Sequence, residues 1–151
     1  MILTLLSKKE KGFTLVEILI VIAIVSILAA IVIIAINPAR QIAQANNAQR
    51  RVDVNTTLNA VSQYAVDNNG TLPSAILATP GEICRTGAAI CTGLIDLAVI
   101  TTAETYLISV PLDPQATTTN GTGYRIRKTA NDRIVVTAPI AQLGVSISAS
   151  R

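Results

Sequence analysis

Few residues in this chain are equipped for chemistry, and they fall in two places. Cys84 and Cys91 are the only thiols, and the 151 residues contain no histidine. A zinc site takes four ligands, drawn largely from Cys and His, so two cysteines alone do not make one. Two thiols can oxidise to a disulfide if this part of the chain lies outside the cytoplasm; otherwise they are two buried thiols. The other candidate is Glu17, the one carboxylate inside the apolar run from Phe13 to Ile36. An ionised carboxylate taken out of water is costly unless it meets an opposite charge, so Glu17 calls for a partner. For catalysis the inventory is poor. It offers no His base, no nucleophile paired with a base, no glycine-rich phosphate loop and no acidic pair with an identifiable role. The chain reads as a non-enzyme without cofactor or metal, and no residue is assigned as catalytic.

The stretch that carries Glu17 dominates the chain. From Phe13 to Ile36 every residue is apolar or small except Thr14, Glu17 and Ser26. As a helix this run would span about 36 Å, against about 30 Å for a bilayer's hydrocarbon core. The leader before it, residues 1–12, holds Lys8, Lys9, Glu10 and Lys11. Lysines on that side favour a cytoplasmic N-terminus and place the remainder across the membrane in a single pass. Without the leader, nine basic residues face eight acidic ones. The overall charge of +3 therefore says little about a nucleic-acid partner. A secretory signal has a shorter apolar core and a small-residue cleavage site before a polar segment, whereas Ala29-Ala30 is followed by IVIIAI. A plain anchor accounts for length and orientation but leaves Glu17 unexplained.

Lys11-Gly12-Phe13-Thr14-Leu15-Val16-Glu17 resembles the cleavage and methylation motif of type IV prepilins and type II secretion pseudopilins. The resemblance implies that a prepilin peptidase cuts between Gly12 and Phe13 and N-methylates Phe13. It implies that Glu17, fifth after the cut, pairs with the N-terminal amine of a neighbouring subunit during self-assembly into a helical filament. Membrane lipid would surround the run before assembly, and ATP-driven membrane machinery would supply direction. The fold implied is α+β and pilin-like. A long N-terminal helix, membrane-spanning in its first half and amphipathic in its second, packs on a small antiparallel sheet. The expected organisation is a cleaved leader (1–12), a filament-core helix (13–36), an amphipathic helix (37–69) and a loop-and-sheet head with the Cys84–Cys91 disulfide (70–151).

Residues beyond Ile36 fit that order. Asn37-Pro38 predicts a kink or local break, because proline lacks an N–H and disfavours helix at the residue before it. Ile42, Ala45, Ala48, Val52, Leu58, Val61, Tyr64 and Ala65 then recur at helical spacing, with a polar interruption at 55–57. Arg40, Gln44, Gln49, Arg50, Arg51, Asp53, Gln63 and Asp67 fill much of the other face, and the Arg50-Arg51 pair reads as solvated. If continuous, the two helices would form a stalk of roughly 80 Å. Asn68-Asn69-Gly70 and Pro73 end the helix. Residues 70–93 are turn-rich and predict a connecting loop with at most a short helical turn. Leu94–Ile100 could be strand or helix. Val110-Pro111-Leu112-Asp113-Pro114 breaks regular structure. Residues 124–128 and 133–138 predict a hairpin and 144–150 a third strand, with an apolar face for the helix to cover.

The head offers two candidate binding features. Some major pseudopilins bind calcium near the corresponding Asp-Pro segment, but Asp113 stands here among hydroxyl and amide residues, short of the carboxylates calcium takes. Arg125, Arg127, Lys128 and Arg133 make a basic strip. With few aromatics for base stacking, it reads as a solvated sheet face rather than a nucleic-acid interface. The functional expectation is a structural filament subunit. The alternatives are a permanently anchored extracytoplasmic binding protein and a minor pilin for DNA uptake.

Overall fold

Thr14 starts the first helix. In the computed structural model, which describes residues 12–151, α1 runs Leu15–Ile36 behind an extended Thr14 N-cap. The leader lysines and Glu10 lie outside the described residues. Asn37 ends α1 in a left-handed conformation (φ 45°), which Asn tolerates better than most residues. Pro38 opens α2, Pro38–Asp67, at a first-turn position where its missing N–H costs nothing. The break expected at Asn37-Pro38 is therefore present. The chain divides into two compact units, the first ending at Pro38 and the second spanning Ala39–Arg151.

The described residues of the first unit form no core. None of the 22 residues of α1 is buried, and its mean hydropathy is 3.5. By length and composition it can cross a membrane. Its hydroxyl at Ser26 donates back to the Ile22 carbonyl at 2.7 Å, so that polar group needs no outside partner.

The second unit has a core built on a four-stranded antiparallel sheet in the order β1-β2-β3-β4. The strands are β1 (Gly81–Cys84), β2 (Gly121–Lys128), β3 (Ile134–Thr137) and β4 (Ser148–Ser150). The hairpin β2–β3 pairs Ile126 with Val136 and Arg125 with Thr137. Tyr124 and Ile126 point inward with Ile134 and Val136, while Arg125 between them is exposed. On α2, Val54, Leu58 and Val61 join the same hydrophobic cluster, which also takes in Ile76, Ile83, Ile95, Leu97 and Ile100. The fold class is α+β, as the sequence implied.

Three expectations need correction. The turn-rich region 70–93 contains β1, whose partner strand is 37 or more residues away and so leaves no local pattern. The sheet therefore has four strands, not three. The C-terminal strand is only Ser148–Ser150, because Leu143 and Gly144 take positive φ and Val145 turns back to Gln142. As expected, α2 runs on through the polar residues 55–57, where Thr57 donates to the Asp53 carbonyl. Finally, the buried stripe of α2 is misplaced in its first half. Ile42 (63 %) and Val52 (59 %) are exposed, while Arg50 and Asp53 are buried. The ambiguous 94–100 segment does both things: Ile95 bridges to Ile83, and Ala98–Thr101 forms a one-turn helix, α3.

Candidate processing and assembly site

Gly12 and Phe13 precede α1, and both are exposed, Phe13 by 78 %. A Cβ added at Gly12 would meet nothing within 4 Å, and the residue does not have positive φ. Among the described residues, nothing in the packing demands glycine there.

Thr14 and Glu17 cap the helix reciprocally. The Glu17 amide donates to Thr14 Oγ1 at 3.2 Å, and the Thr14 amide donates to Glu17 Oε2 at a long 3.5 Å. The pair is a capping box, with Glu at the third helical position also favoured by the positive end of the helix dipole. The sequence reading had no structural role for Glu17 and missed this one. The signal was present as Thr14-Leu15-Val16-Glu17, a T-x-x-E string ahead of an apolar run. Beyond Glu17 every residue of the helix but Ser26 is apolar, with the side chains more than half exposed at Ile24, Ile27, Leu28 and Ile34 among others.

The head carries the other polar constellation. Arg50 is wholly buried. Its Nε donates to Asp113 Oδ2 at 2.7 Å and its Nη2 to Asp113 Oδ1 at 2.9 Å. Nη1 reaches Asn47 Oδ1, and Nη2 also reaches Gln115 Oε1, both at 3.0 Å. Asn47 in turn holds Gln142 through its carbonyl and amide. One guanidinium therefore ties α2 to the 113–115 loop and, through Asn47, to the loop at Gln142. The hydrogen bonds to Asp113 push the Arg50 pKa above its ordinary value, against burial, which pulls it down. This corrects the solvated reading of Arg50 and gives Asp113 a structural partner. Three residues on, Asp53 accepts the Tyr124 hydroxyl at 2.6 Å. Burial first, and this bond second, raise the Tyr124 pKa well above 10.

Cys84 and Cys91 are joined by a disulfide, Cα atoms 5.6 Å apart, which closes the loop leaving β1. Among the described residues, no three His, Cys, Asp or Glu side chains gather as a metal would require. Arg125 and Arg133 are exposed and Arg127 half-buried; Lys128 lies 3.9 Å from Asp132. Gly12, Phe13 and Glu17 belong to the first unit, the disulfide to the second.

No curated protein and no solved structure matches the chain significantly. Residues 7–36 match the family model described as the prokaryotic N-terminal methylation motif. The match takes in the leader lysines, Gly12, Phe13, the capping pair Thr14 and Glu17, and all of α1. The chain therefore carries the N-terminal hallmark of type IV pilin and pseudopilin precursors.

Proposed function

We propose that the protein is a prepilin, cut between Gly12 and Phe13 by a prepilin peptidase, methylated on Phe13, and assembled through α1 into a helical filament. Residues 1–12 are then the leader and 13–36 the filament-core segment. Residues 37–69 and 70–151 form the extracytoplasmic head, and the N-terminus is cytoplasmic before assembly. The observation that carries this reading is α1 itself, bare on every side behind a methylation motif. Seventeen large apolar residues from Phe13 to Ile36 are exposed. At roughly 1.5–3 kcal/mol each, leaving them in water would cost several times the net stability of an ordinary domain, about 5–15 kcal/mol. Lipid satisfies them first. In a filament, α1 helices of neighbouring copies would satisfy them equally well, so exchange of one for the other is near balance. Glu17 pairs there with the free amine of a neighbour's Phe13, each neutralising a charge the apolar bundle could not hold alone.

The test is the mature N-terminus by mass spectrometry. Methylated Phe13 as first residue is expected, and Gly12→Glu should leave the leader attached and filaments absent. An intact Met1 in assembled protein overturns the reading. Glu17 needs a sharper test, because the capping box gives it a second explanation. Glutamine also closes a capping box but carries no charge. Glu17→Gln should therefore insert into membranes normally yet fail to assemble. If Glu17→Gln assembles as wild type while Glu17→Ala does not, capping rather than charge is its role.

A further inference from the structure

Three Asn-x-Thr sequences occur in the head: Asn55-Thr56-Thr57, Asn69-Gly70-Thr71 and Asn120-Gly121-Thr122. Each is an acceptor sequence for N-linked sugar if it lies in an exposed segment outside the cytoplasm. The structure separates them. In the middle of α2, the Asn55 side-chain amide already donates to the Arg51 carbonyl at 2.7 Å, and Thr57 is buried with its hydroxyl on the Asp53 carbonyl. Presenting that triplet would unwind α2 between the core residues Val54 and Leu58. Thr122 is fully buried, its hydroxyl on the Ile83 carbonyl, and the Asn120 carbonyl accepts from the Arg85 amide at 2.7 Å. Presenting that triplet would strip β2 from β1.

The third triplet has neither obstacle. Asn69 and Thr71 are both exposed, and no hydrogen bond engages the Asn69 side chain among the described residues. Asn69 (φ 54°) and Gly70 (φ 84°) turn the chain away from the end of α2, and a Cβ at Gly70 would find open space. Only the bonds from Gly70 to the Ala65 carbonyl and from Thr71 to the Asn68 carbonyl hold the turn. They sit at a helix terminus, where fraying is cheap. A transferase that needs an extended acceptor can take this turn without disturbing the core.

We propose that Asn69 is an N-glycosylation site, and that of the three sequences it is the one modified. This rests on the reading above that the head lies outside the cytoplasm. The donor class is an oligosaccharide linked through diphosphate to a polyprenyl lipid. The Asn69 carboxamide nitrogen attacks the anomeric carbon of the first sugar. The new C–N bond forms as the sugar's C–O bond to phosphate breaks, the nitrogen loses one proton, and the polyprenyl diphosphate leaves with the electron pair. No oxidant or reductant is needed. Thr71 positions the acceptor by hydrogen bonding in the transferase, so serine can replace it but alanine cannot.

The experiment uses protein isolated from the cells that naturally make it. Chymotryptic cleavage after Tyr64 separates Asn55 from Asn69, and mass spectrometry reads each peptide. Sugar mass on the Asn69 peptide is expected, with Asn55 and Asn120 bare. Occupancy should vanish in Asn69→Gln and Thr71→Ala and persist in Thr71→Ser. A bare Asn69, or equal occupancy at Asn55 or Asn120, overturns the proposal. The N-terminal peptide in the same digest reads the filament hypothesis separately. A processed Phe13 with a bare Asn69 sinks the glycosylation alone, whereas an intact leader with sugar on Asn69 sinks the filament reading alone.

Discussion

α1 and α2 are neighbouring helices of one chain built on opposite terms. α1 is apolar all round and buries nothing; α2 buries Arg50, Asp53, Asn47 and Thr57 alongside Val54, Leu58 and Val61. Hydropathy alone would rank the burial the other way. A side chain is buried when other segments come to cover it. The loops at Asp113 and Gln142 reach Arg50, and Tyr124 reaches Asp53, whereas α1 has no buried residue. The lesson is that the head completes its own structure and α1 does not. On the function proposed above, that unfinished surface is the part that meets lipid and then copies of itself.

The largest effect that could break this contrast concerns α1 as a whole. A chain beginning at Ala39 should stay monomeric in size-exclusion chromatography and melt cooperatively, while the full chain needs detergent. Aggregation of the shortened chain would show that the head is unfinished too. Next comes the ion pair. Arg50→Met strands Asp113 in the interior and should cost about 3–5 kcal/mol in urea unfolding of that shortened chain. The double change Arg50→Met with Asp113→Leu should recover most of the loss, since well-packed apolar residues often replace a buried pair at little cost. If the single change is harmless, the guanidinium is not what holds the loops. Third, replacing both Cys84 and Cys91 by Ser opens a short loop and should lower stability by about 2–3 kcal/mol. An unchanged urea midpoint would mean that the β1 pairing alone fixes the loop.

The smallest effect sharpens the comparison through pH. Tyr124→Phe removes the bond to Asp53 and should cost about 1–2 kcal/mol near neutrality. Because burial raises the Tyr124 pKa above the unfolded value of about 10, the folded chain keeps a proton that the unfolded chain gives up. Wild-type stability is therefore unaffected by this group below about pH 10 and falls as pH rises beyond it. Tyr124→Phe should flatten that fall, and an unaltered slope would place the alkaline sensitivity elsewhere, for instance at Tyr106, whose pKa burial also raises.

How much was legible follows from how local each signal is. The limits of α1 are written in Thr14, Glu17, Asn37 and Pro38, all within a turn of the helix they bound. The β2–β3 hairpin shows as alternation across a short turn containing Asp132, which takes positive φ. β1 did not show, because four residues beside glycines and prolines carry no pattern until β2 supplies the ladder. The α2 stripe failed in its first half for a related reason. Ile42 and Val52 satisfy helical spacing as well as Val54 and Leu58 do, and nothing within the helix tells which of them the sheet and loops will reach.

The amino-acid sequence by itself determined the N-terminal part of this protein: the motif at residues 7–36, the length and greasiness of α1, and its punctuation at Asn37-Pro38. Those depend on side chains within a few residues of one another, so the linear order contains them. Only the tertiary structure decided that Arg50 and Asp113, 63 positions apart, share an interior bond, and that Asp53 and Tyr124, 71 apart, share another. Charge burial is a property of what arrives from elsewhere in the chain, and no window of sequence can show it.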